Sequence, residues 1–574
     1  MKSHRCQRGA ILLLCIALMV GCTTSTAKKS STGTAERSIE PNAYYYYTEA
    51  QLLRDQGEGH AALEYMQKAM ALDPDSRLLK RETAVLYLQL KNDEAALALL
   101  EALLEEQPDD VEALNLVGRL LQSRKQHARA KSIYARILAQ DPDNQDIYLL
   151  LGNLYIEDAQ WDEAYDLFSR FVQRFPNAYA GYFFLGKVYR QRNQPLEAEK
   201  AFRRSLSIEP ELEGARFELI ELYTTDLKSS NHQKKTVELY EELLEENPQN
   251  NRALFGYALF LRDSGREPQA AEILRAHAAD ISQNDLIRGI YRYTIEPERY
   301  RDAIFLLEPL IALHPDYIDL HYLQGVAYNG LDDDARALAA FKSVGPSSRF
   351  YGEATLQIAS RYAEAERFDQ AIDHLEAALA EAPANTEFLL YLGYYCEEAG
   401  RFEEAERYLR RVVEAVPDSE QAHFRLGVVY DKMERKDDSI AAMQRVIEIN
   451  ADHANALNYL GYTYADLGKN LDEAEALVRR ALELRPDDGY ITDSLGWVFY
   501  KKGNYEEALK WLLKASELVP DDPIINEHVG DAYLKLNDKA NALIYYLKSL
   551  SLREEDSERR KIQPKIDALK REGI

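Results

Sequence analysis

Few residues in this 574-residue chain have the types and spacing that catalysis or metal binding requires. The sequence has no HExxH zinc motif, no GxSxG nucleophile motif, no P-loop and no GxGxxG preceding a helix. Its 11 histidines are scattered, with no pair at ligand spacing. We therefore predict a protein that is not an enzyme and that needs no metal ion or other cofactor.

Two features come closest to a chemical site. Cys396 lies in the segment GYYCEEAG, at a position that aromatic residues occupy elsewhere in the chain, so we expect a buried structural thiol rather than a nucleophile. The run Asp332-Asp333-Asp334 could hold calcium, but its spacing is not that of an EF-hand loop. A solvated turn is the simpler interpretation of this acidic run.

The charge of the chain limits the classes of partner. The formal net charge is −26, which makes the body of the protein a poor ligand for nucleic acid or for an anionic membrane. A basic partner protein could still be attracted. The four cysteines are Cys6, Cys15, Cys22 and Cys396, and the first two belong to the N-terminal segment that precedes Cys22, so no disulfide framework is expected.

The N-terminus has the pattern of an export signal. Three basic residues precede the apolar stretch Ala10–Val20, which is too short to span a membrane comfortably. The next residues, Met19-Val20-Gly21-Cys22, resemble a bacterial lipobox, although Met19 replaces the usual leucine. The resemblance implies a signal peptide at 1–21 and lipidation of Cys22. An ordinary secretory signal or a short anchor helix is the alternative.

The residues after Cys22 indicate where the chain resides. Thr23 follows the cysteine instead of aspartate, which by resemblance to sorted lipoproteins implies the outer membrane, with the body facing the periplasm. Residues 22–42 are rich in Ser, Thr and Ala and lack an apolar period, so they read as a flexible tether. The membrane is thus contacted through the N-terminal lipid only.

From residue 43 onwards the sequence repeats with a period of about 34 residues, within the range of known structural repeats. A proline marks each period, and an alanine and a glycine recur at fixed places before it, as Ala130 and Gly118 do before Pro142. The marker prolines are Pro74, Pro108, Pro142, Pro176, Pro210, Pro383, Pro417, Pro486 and Pro520. The glycines are Gly118, Gly152, Gly186, Gly393 and Gly496, with Gly461 displaced by one place. Soon after the glycine position come Tyr87, Tyr155, Tyr189, Tyr362, Tyr430, Tyr464 and Phe499.

This period predicts stacked helical hairpins. Each unit has two apolar stretches at helical spacing, and its small residues lie where the two helices must approach closely. The aromatic residue would fill the space between consecutive hairpins, and the proline would end the second helix. Because one hairpin cannot bury its own apolar face, the units must stack.

The pattern resembles the tetratricopeptide repeat (TPR) family. The resemblance covers residues 43–552, about 15 units, and implies an all-α, right-handed superhelical solenoid of antiparallel hairpins. We expect an N-terminal lobe at 43–212, degenerate repeats at 213–351 and a C-terminal lobe at 352–552. The charged residues 553–574 would form a capping helix, which Pro564 interrupts or begins. The degenerate repeats either bend or divide the superhelix or reflect drift.

In this family the first helix of each hairpin lines the inner surface, which implies two candidate sets of partner-binding residues. The first set is polar and loosely resembles a clamp for a peptide carboxylate; ordinary surface polarity is the alternative. It comprises Asn115, Arg119, Asn153, Lys187 and Arg190. The second set offers exposed aromatic anchors; packing against the adjacent hairpin is the alternative. It comprises Tyr394, Asn458, Tyr462, Tyr490, Trp497 and Tyr500.

The segments 457–466, 471–515 and 525–535 resemble large bacterial lipoproteins built from TPR units. One member type is an outer-membrane adaptor that binds a periplasmic carboxyl-terminal processing protease and its substrates, including peptidoglycan hydrolases. The resemblance implies that this chain is a protein-binding scaffold or adaptor, with proteins or peptides as partners. The alternative function is assembly of an envelope machine such as a pilus, a secretion channel or a polysaccharide exporter.

Overall fold

A computed structural model describes residues 41–572, and every regular element in that range is helical, which confirms the predicted all-α array. The predicted signal peptide, Cys22 and nearly all of the predicted tether lie outside the described residues. The chain divides into two compact units, with the boundary after Thr236. No helix of the described range is both long enough and apolar enough to cross a membrane.

Thirty of the described α-helices follow one another as 15 helix–turn–helix pairs, in agreement with the predicted number of repeats. The helices that begin in unit 1 are α1 (Ala43–Asp55), α2 (Gly59–Leu72), α3 (Arg77–Gln89), α4 (Asp93–Glu106), α5 (Val111–Ser123), α6 (His127–Gln140), α7 (Gln145–Glu157), α8 (Trp161–Arg174), α9 (Tyr179–Gln191), α10 (Pro195–Ile208), α11 (Glu213–Thr225) and α12 (Ser230–Glu246).

Unit 2 continues the array and adds one final helix. Its helices are α13 (Asn251–Asp263), α14 (Glu267–Ala278), α15 (Gln283–Ile290), α16 (Tyr300–Leu313), α17 (Asp319–Asn329), α18 (Asp334–Lys342), α19 (Tyr351–Glu364), α20 (Phe368–Glu381), α21 (Thr386–Glu398), α22 (Phe402–Ala415), α23 (Glu420–Lys432), α24 (Lys436–Ile449), α25 (Ala454–Asp466), α26 (Leu471–Leu484), α27 (Gly489–Lys501), α28 (Tyr505–Leu518), α29 (Pro523–Lys535), α30 (Lys539–Leu552) and α31 (Asp556–Arg571). A π-helix, Tyr291–Ile295, continues α15. The division into segments at 43–212, 213–351 and 352–552 stays a prediction.

The helix ends follow from local chemistry. Pro108 and Pro142 each come shortly after the end of a second helix, where proline disfavours helical geometry in the residue before it. The next helix then begins at a side-chain cap, as where Asp110 Oδ1 accepts a hydrogen bond from the Ala113 amide at 2.9 Å. The predicted role of the marker prolines is confirmed.

The turn inside most hairpins contains one residue with a left-handed backbone conformation. In unit 1 these residues recur with the period of the marker prolines, at Gly57, Lys91, Lys125, Ala159 and Asn193. In unit 2 the position recurs, with glycine in some repeats and with glutamate or aspartate in others, as at Glu298, Asp332, Glu366 and Glu434. A residue with a Cβ is strained in this region, so the turn is imposed by the packing of the two helices.

Close approach explains the recurring glycine. A Cβ at Gly152 would lie 2.1 Å from Phe168 Cζ, and one at Gly118 would lie 2.5 Å from Tyr134 Cε1. In both pairs the large ring belongs to the second helix of the same hairpin and is fully buried. Real atoms do not approach so closely, so only glycine lets the ring reach the first helix. The predicted contact between the two helices of a hairpin is confirmed.

The recurring tyrosine connects consecutive hairpins, as predicted. Gln67 Nε2, on a second helix, donates a hydrogen bond of 2.9 Å to the hydroxyl of Tyr87 on the next first helix. Gln444 Nε2 makes the same bond to Tyr464 at 3.0 Å, across the same sequence separation. The ring therefore fills the junction between hairpins while its hydroxyl keeps a polar partner.

The repeats between Gln283 and Phe350 depart from this regular construction. A regular first helix such as α5 or α7 has 13 residues, whereas α15 has eight and passes into the five-residue π-helix. The hairpin that follows has shorter helices than usual, of 11 and nine residues. The array nevertheless continues without a break into α19.

Helix α31 covers the end of the array, as the sequence predicts for a cap. Ile562, Ile566 and Leu569 are buried and pack with Ala542 and Tyr546 of α30. Pro564 lies inside the helix rather than ending it. The thin apolar stripe of this charged segment is therefore used completely.

Candidate partner-binding surfaces

The predicted polar set lies on successive first helices of unit 1. On α5, Arg119 Nε donates a hydrogen bond of 3.0 Å to Asn115 Oδ1 of its own helix. Asn153 is half-buried on α7. On α9, Lys187 Nζ lies 3.7 Å from Glu218 Oε1, and Arg190 contacts the same carboxylate. The structure thus brings Lys187 and Arg190 together around Glu218, and Arg119 has a separate partner.

Arg190 is the residue best placed to hold a carboxylate, and three carboxylates of the chain surround it. Its guanidinium lies 2.8 Å from Glu221 and 2.9 Å from Asp226, in addition to its 3.7 Å contact with Glu218. Burial alone lowers the pKa of Arg190, but the bonds to Glu221 and Asp226 outweigh it and raise the pKa. A partner's carboxylate would have to displace these internal acids. The binding role of the polar set stays a prediction.

The expectation that Trp497 is an exposed aromatic anchor is wrong. Only 9% of this residue is accessible, because its ring is stacked between Tyr500 at 4.7 Å and His528 at 4.1 Å. His528 belongs to α29, the first helix of the next hairpin, so the neighbouring repeat covers the indole. This is the packing that the sequence left open as the alternative.

A buried ion pair supports that stack. His528 Nδ1 lies 3.0 Å from both carboxylate oxygens of Asp493 on α27, and both side chains are less than a tenth exposed. Burial alone lowers the pKa of His528, but the charge and hydrogen bond of Asp493 raise it above its ordinary value. Trp497, Asp493 and His528 therefore form a structural joint between two repeats.

The other predicted aromatic and amide residues have mixed surroundings. Tyr462 is half-buried, and burial together with Asp466 raises its pKa to about 12. Asn458 Oδ1 is buried without a hydrogen-bond partner in the described part of the chain. Tyr490 is 58% exposed at the start of α27. Among these three, Tyr490 alone presents its ring freely to a partner.

Tyr394 lines a groove of about 880 Å³ that the first helices α21, α23 and α25 form. Leu390, Tyr391 and Phe424 belong to its apolar wall, and Arg425 lies over the Tyr394 ring at 4.3 Å. We call this surface the Tyr391 groove. Leu390 lies four residues before Tyr394, and Phe424 lies one 34-residue period after Leu390, so the sequence contained a signal for part of this wall.

Polar groups set the chemistry at the edge of the Tyr391 groove. Arg425 lies 3.4 Å from Glu397. Burial raises the pKa of Glu397, although the charge of Arg425 opposes the shift. His453 and Asn455, at the start of α25, also line the groove. The result is an aromatic surface with a few fixed polar groups, the construction found in specific binding sites.

Cys396 and the acidic run Asp332-Asp333-Asp334, the two features closest to a chemical site, both have structural roles. Cys396 is completely buried, and burial raises the pKa of its thiol to about 12, so the reactive thiolate is suppressed. Asp333 caps α18 by accepting the Arg336 amide at 3.1 Å, and Asp334 pairs with Arg361. Within the described residues no three His, Cys, Asp or Glu side chains are grouped to hold a metal ion.

Comparison with protein families agrees with this architecture. Models described as tetratricopeptide repeats match more than half of the chain. The matched residues are 53–120, 121–182, 362–426 and 397–461 for one model and 179–212, 237–285, 454–488, 496–537 and 525–556 for others. The chain belongs to the tetratricopeptide repeat family. No curated protein matches this TPR sequence.

Several solved TPR structures are similar to parts of this array. MamA is 29% identical, over 28% of this chain and 95% of its own, with a TM-score of 0.27. A tetratricopeptide repeat protein from Parabacteroides merdae is 20% identical, over 38% of this chain and 87% of its own, with a TM-score of 0.35. Yeast Tom70 is 14% identical, over 92% of this chain and 96% of its own, with a TM-score of 0.33. The family assignment rests on the repeat models.

TPR arrays are scaffolds for protein–protein interaction, and this chain is one of them. Its partners are proteins or peptides. The described residues that can meet a partner are those that the array does not use for its own packing, which excludes Trp497 but includes Tyr490 and the Tyr391 groove.

Proposed function

We propose that this chain is a lipid-anchored adaptor of the bacterial outer membrane that faces the periplasm. It binds other proteins and presents substrates to a carboxyl-terminal processing protease, and it carries out no catalysis of its own. The observation that carries the binding role is the Tyr391 groove, an aromatic-lined surface on successive first helices of a protein-binding fold. The protease role is supported by the resemblance of the segments 457–466, 471–515 and 525–535 to large bacterial TPR lipoproteins, of which such adaptors are one member type.

The groove has the properties of an interface centre. Tyr391 is 37% exposed and Tyr394 is half-buried, so a partner would bury aromatic surface that the fold leaves accessible. Aromatic residues supply most of the binding energy in many protein interfaces. Arg425, held over Tyr394, adds a fixed cation that orients a polar group of the partner.

The lipid anchor would hold this surface in the periplasm, close to the outer membrane. A flexible tether of the predicted length spans on the order of 25 Å on average. Radiolabelled palmitate should label the wild type and not the Cys22→Ala variant. Absence of label from the wild type, or equal label in both, would contradict lipidation of Cys22.

The binding role is tested by site-specific photo-crosslinking in the native envelope. A photoreactive phenylalanine derivative at Tyr391 should capture a periplasmic protease or its substrates. Ile544 on second helix α30 is 59% exposed and is the matched control position. Equal crosslinks from both positions would contradict a role for the groove. Capture of secretin or exporter components instead of a protease would favour the assembly function.

The adaptor step has its own assay. The purified chain should accelerate degradation of a peptidoglycan hydrolase by the captured protease, and a Tyr391→Ala/Tyr394→Ala variant should lose most of that acceleration. A control substitution at Ile544 should retain it. Unchanged degradation in the presence of the wild-type chain would contradict the adaptor role.

A further inference from the structure

Two adjoining grooves lie in the irregular repeats of unit 2. One has a volume of about 790 Å³ and includes Ile287, Leu323 and Val326 in its wall. The other has a volume of about 480 Å³ and includes Phe255. Arg288 lines both, and we call the two together the arginine grooves.

The irregular first helix creates this feature. In the π-helix, the Glu296 amide donates to the Tyr291 carbonyl at 2.9 Å, one residue beyond the α-helical interval. A wider turn rotates the residues after Ile290 away from the positions they would hold in a regular repeat. Tyr291 is therefore 51% exposed at the edge of the larger groove, and Arg292 lines the smaller one. Such π-helical turns are frequent at functional sites.

The larger groove has an ordered aromatic surface. The rings of Tyr322 and Phe350 are stacked with centroids 4.5 Å apart and planes 8° apart. The guanidinium of Arg349 lies over Phe350 at 4.7 Å, with half of its side chain still exposed. An arginine held over an aromatic ring keeps its donors directed outwards while losing little freedom on binding. The surface is thus prepared for an anionic group next to an apolar one.

The charge of the grooves is opposite to that of the chain. Four arginines line them, against a single lining carboxylate, Asp285. The arginines are Arg252, Arg288, Arg292 and Arg349. The whole chain has a net charge of −26. This local cationic surface is therefore complementary to a negatively charged group of a partner, although the rest of the chain is acidic.

The ion pairs that two of these arginines make are long. Arg288 lies 3.4 Å from Asp285 on the same helix, and both side chains are more than half exposed. Arg349 lies 3.4 Å from Asp319, whose carboxylate also accepts from Ser348 and from Gln283. Within the described residues Arg292 has no ion pair, so its guanidinium is available to a ligand.

We propose that the arginine grooves bind an acidic, extended segment of a partner protein. Carboxylates of the segment pair with Arg288 and Arg292, and an aliphatic or aromatic side chain between them packs on Phe350. The inference rests on the proposed protein-binding function and adds a second site with a stated partner chemistry. A nucleic acid or an anionic membrane fits less well, because the apolar wall at Ile287, Leu323 and Val326 calls for an apolar side chain between the charges, which a peptide supplies.

The test uses the full chain without its lipid and a fluorescent peptide in which Glu-Glu-Leu is repeated four times. The peptide with Lys in place of Glu is its control. The variant Arg288→Glu/Arg292→Glu should weaken binding of the acidic peptide by about tenfold or more, the effect of losing charge-assisted hydrogen bonds. Raising the salt concentration should weaken it further.

The matched control variant is Arg275→Glu/Arg301→Glu. These exposed arginines lie on second helices α14 and α16 of the same repeats, so the net charge changes equally while the grooves stay intact. The affinity of this variant for the peptide should change less than about twofold. An equal loss in both variants would show a non-specific charge effect and overturn the proposal.

Three further outcomes are decisive. No binding of the acidic peptide by the wild type, or preference for a single-stranded oligonucleotide or phosphatidylglycerol vesicles over the peptide, would overturn the proposal. If the glutamate variant does not fold, Arg288→Gln/Arg292→Gln should give the same loss. Crosslinks from Tyr391 that persist without any peptide binding would refute this inference alone and leave the proposed function standing.

Discussion

Arg190 in unit 1 and Arg292 in unit 2 both lie on the first helix of a repeat, but their surroundings differ. Arg190 belongs to a regular repeat and is held by Glu218, Glu221 and Asp226. Arg292 belongs to the π-helix of an irregular repeat and has no ion pair within the described residues. The regular repeat thus places three carboxylates around its arginine, whereas the π-helix leaves Arg292 exposed without one in the described part of the chain.

Packing shows the same contrast. Gly152 receives the ring of Phe168 from the second helix of its own hairpin. Gly289, at the end of α15, instead faces Phe255 and Asn251 of the preceding first helix. Gly152 therefore closes its own hairpin, whereas Gly289 lies at a contact between two first helices, beside the arginine grooves.

Alanine substitutions at Gly152 and Gly289 should distinguish the two kinds of glycine contact, and they should change stability more than any other substitution below. Gly152→Ala should lower the free energy of unfolding by about 3 kcal/mol, because its Cβ would lie 2.1 Å from Phe168 Cζ. Gly289→Ala, with 2.9 Å to Phe255 Cε2, should lower it by about 1 kcal/mol. Since long repeat arrays do not unfold in two states, local hydrogen exchange of the affected helices is the measurement.

The control for this pair is Gly214→Ala, whose Cβ would meet nothing closer than Phe183 at 3.7 Å. It should stabilise α11 by up to about 1 kcal/mol, because alanine favours a helix more than glycine does. Equal protection from hydrogen exchange in the Gly152→Ala and Gly289→Ala variants would contradict the difference in packing between the two glycines.

A substitution at Glu199 tests whether charged side chains of unit 1 are paired within the chain. Glu199 accepts hydrogen bonds from Lys235 at 2.8 Å, Tyr223 at 2.7 Å and Arg203 at 3.1 Å. Burial alone raises the pKa of Glu199, but these bonds outweigh it and lower the pKa to about 2. Glu199→Gln should cost about 2 kcal/mol at pH 7, and exposed Glu105→Gln should cost almost nothing.

The pH dependence of that cost has a definite sign. A carboxylate whose pKa is lowered on folding contributes stability above its ordinary pKa and loses it as the pH falls towards the folded value. The difference in unfolding free energy between wild type and Glu199→Gln should therefore shrink as the pH is lowered from 5 towards about 2. A difference that stays constant over this range would show that the carboxylate charge is not responsible.

Substitutions of Arg190 and Arg292 test directly whether the surroundings of these two arginines differ. Arg190→Gln should destabilise unit 1 by about 1 kcal/mol, because three carboxylates lose their common partner. Arg292→Gln should change stability by less than about 0.5 kcal/mol, as for an exposed residue without a structural role. Local hydrogen exchange of α9 in one variant and of α15 in the other measures this. Equal losses would mean that Arg292 is as much a structural residue as Arg190.

The left-handed residue of the hairpin turn is common to both units, and its substitution should change stability least. Lys125 and Glu298 both have a left-handed backbone, with φ of 58° in each. Substitution by glycine should stabilise either repeat by about 0.5 kcal/mol, since relief of strain exceeds the entropy that glycine adds to the unfolded chain. Asn193→Gly should gain less, because asparagine tolerates this conformation. Thermal unfolding of the three variants would show whether one turn serves both regions.

Much of the array was predictable because the relevant contacts lie within one or two periods of the sequence. Gly118 meets Tyr134 inside one hairpin, and Gln67 meets Tyr87 across one junction, so a fixed period brings similar pairs together in several repeats. The fate of Trp497 was not predictable in this way. Its ring is covered by His528, at a position where other repeats have residues of different size and charge.

The sequence by itself determined the helical hairpins, their number and their register, because proline, glycine and tyrosine that recur at one fixed period specify contacts that are local to each hairpin junction. Export, lipidation of Cys22 and the protease partnership stay predictions. Only the tertiary structure decided which first-helix side chains are available. Availability depends on what the next repeat places opposite them: carboxylates at Arg190, an imidazole at Trp497, and an open groove beside Tyr391 and Arg292.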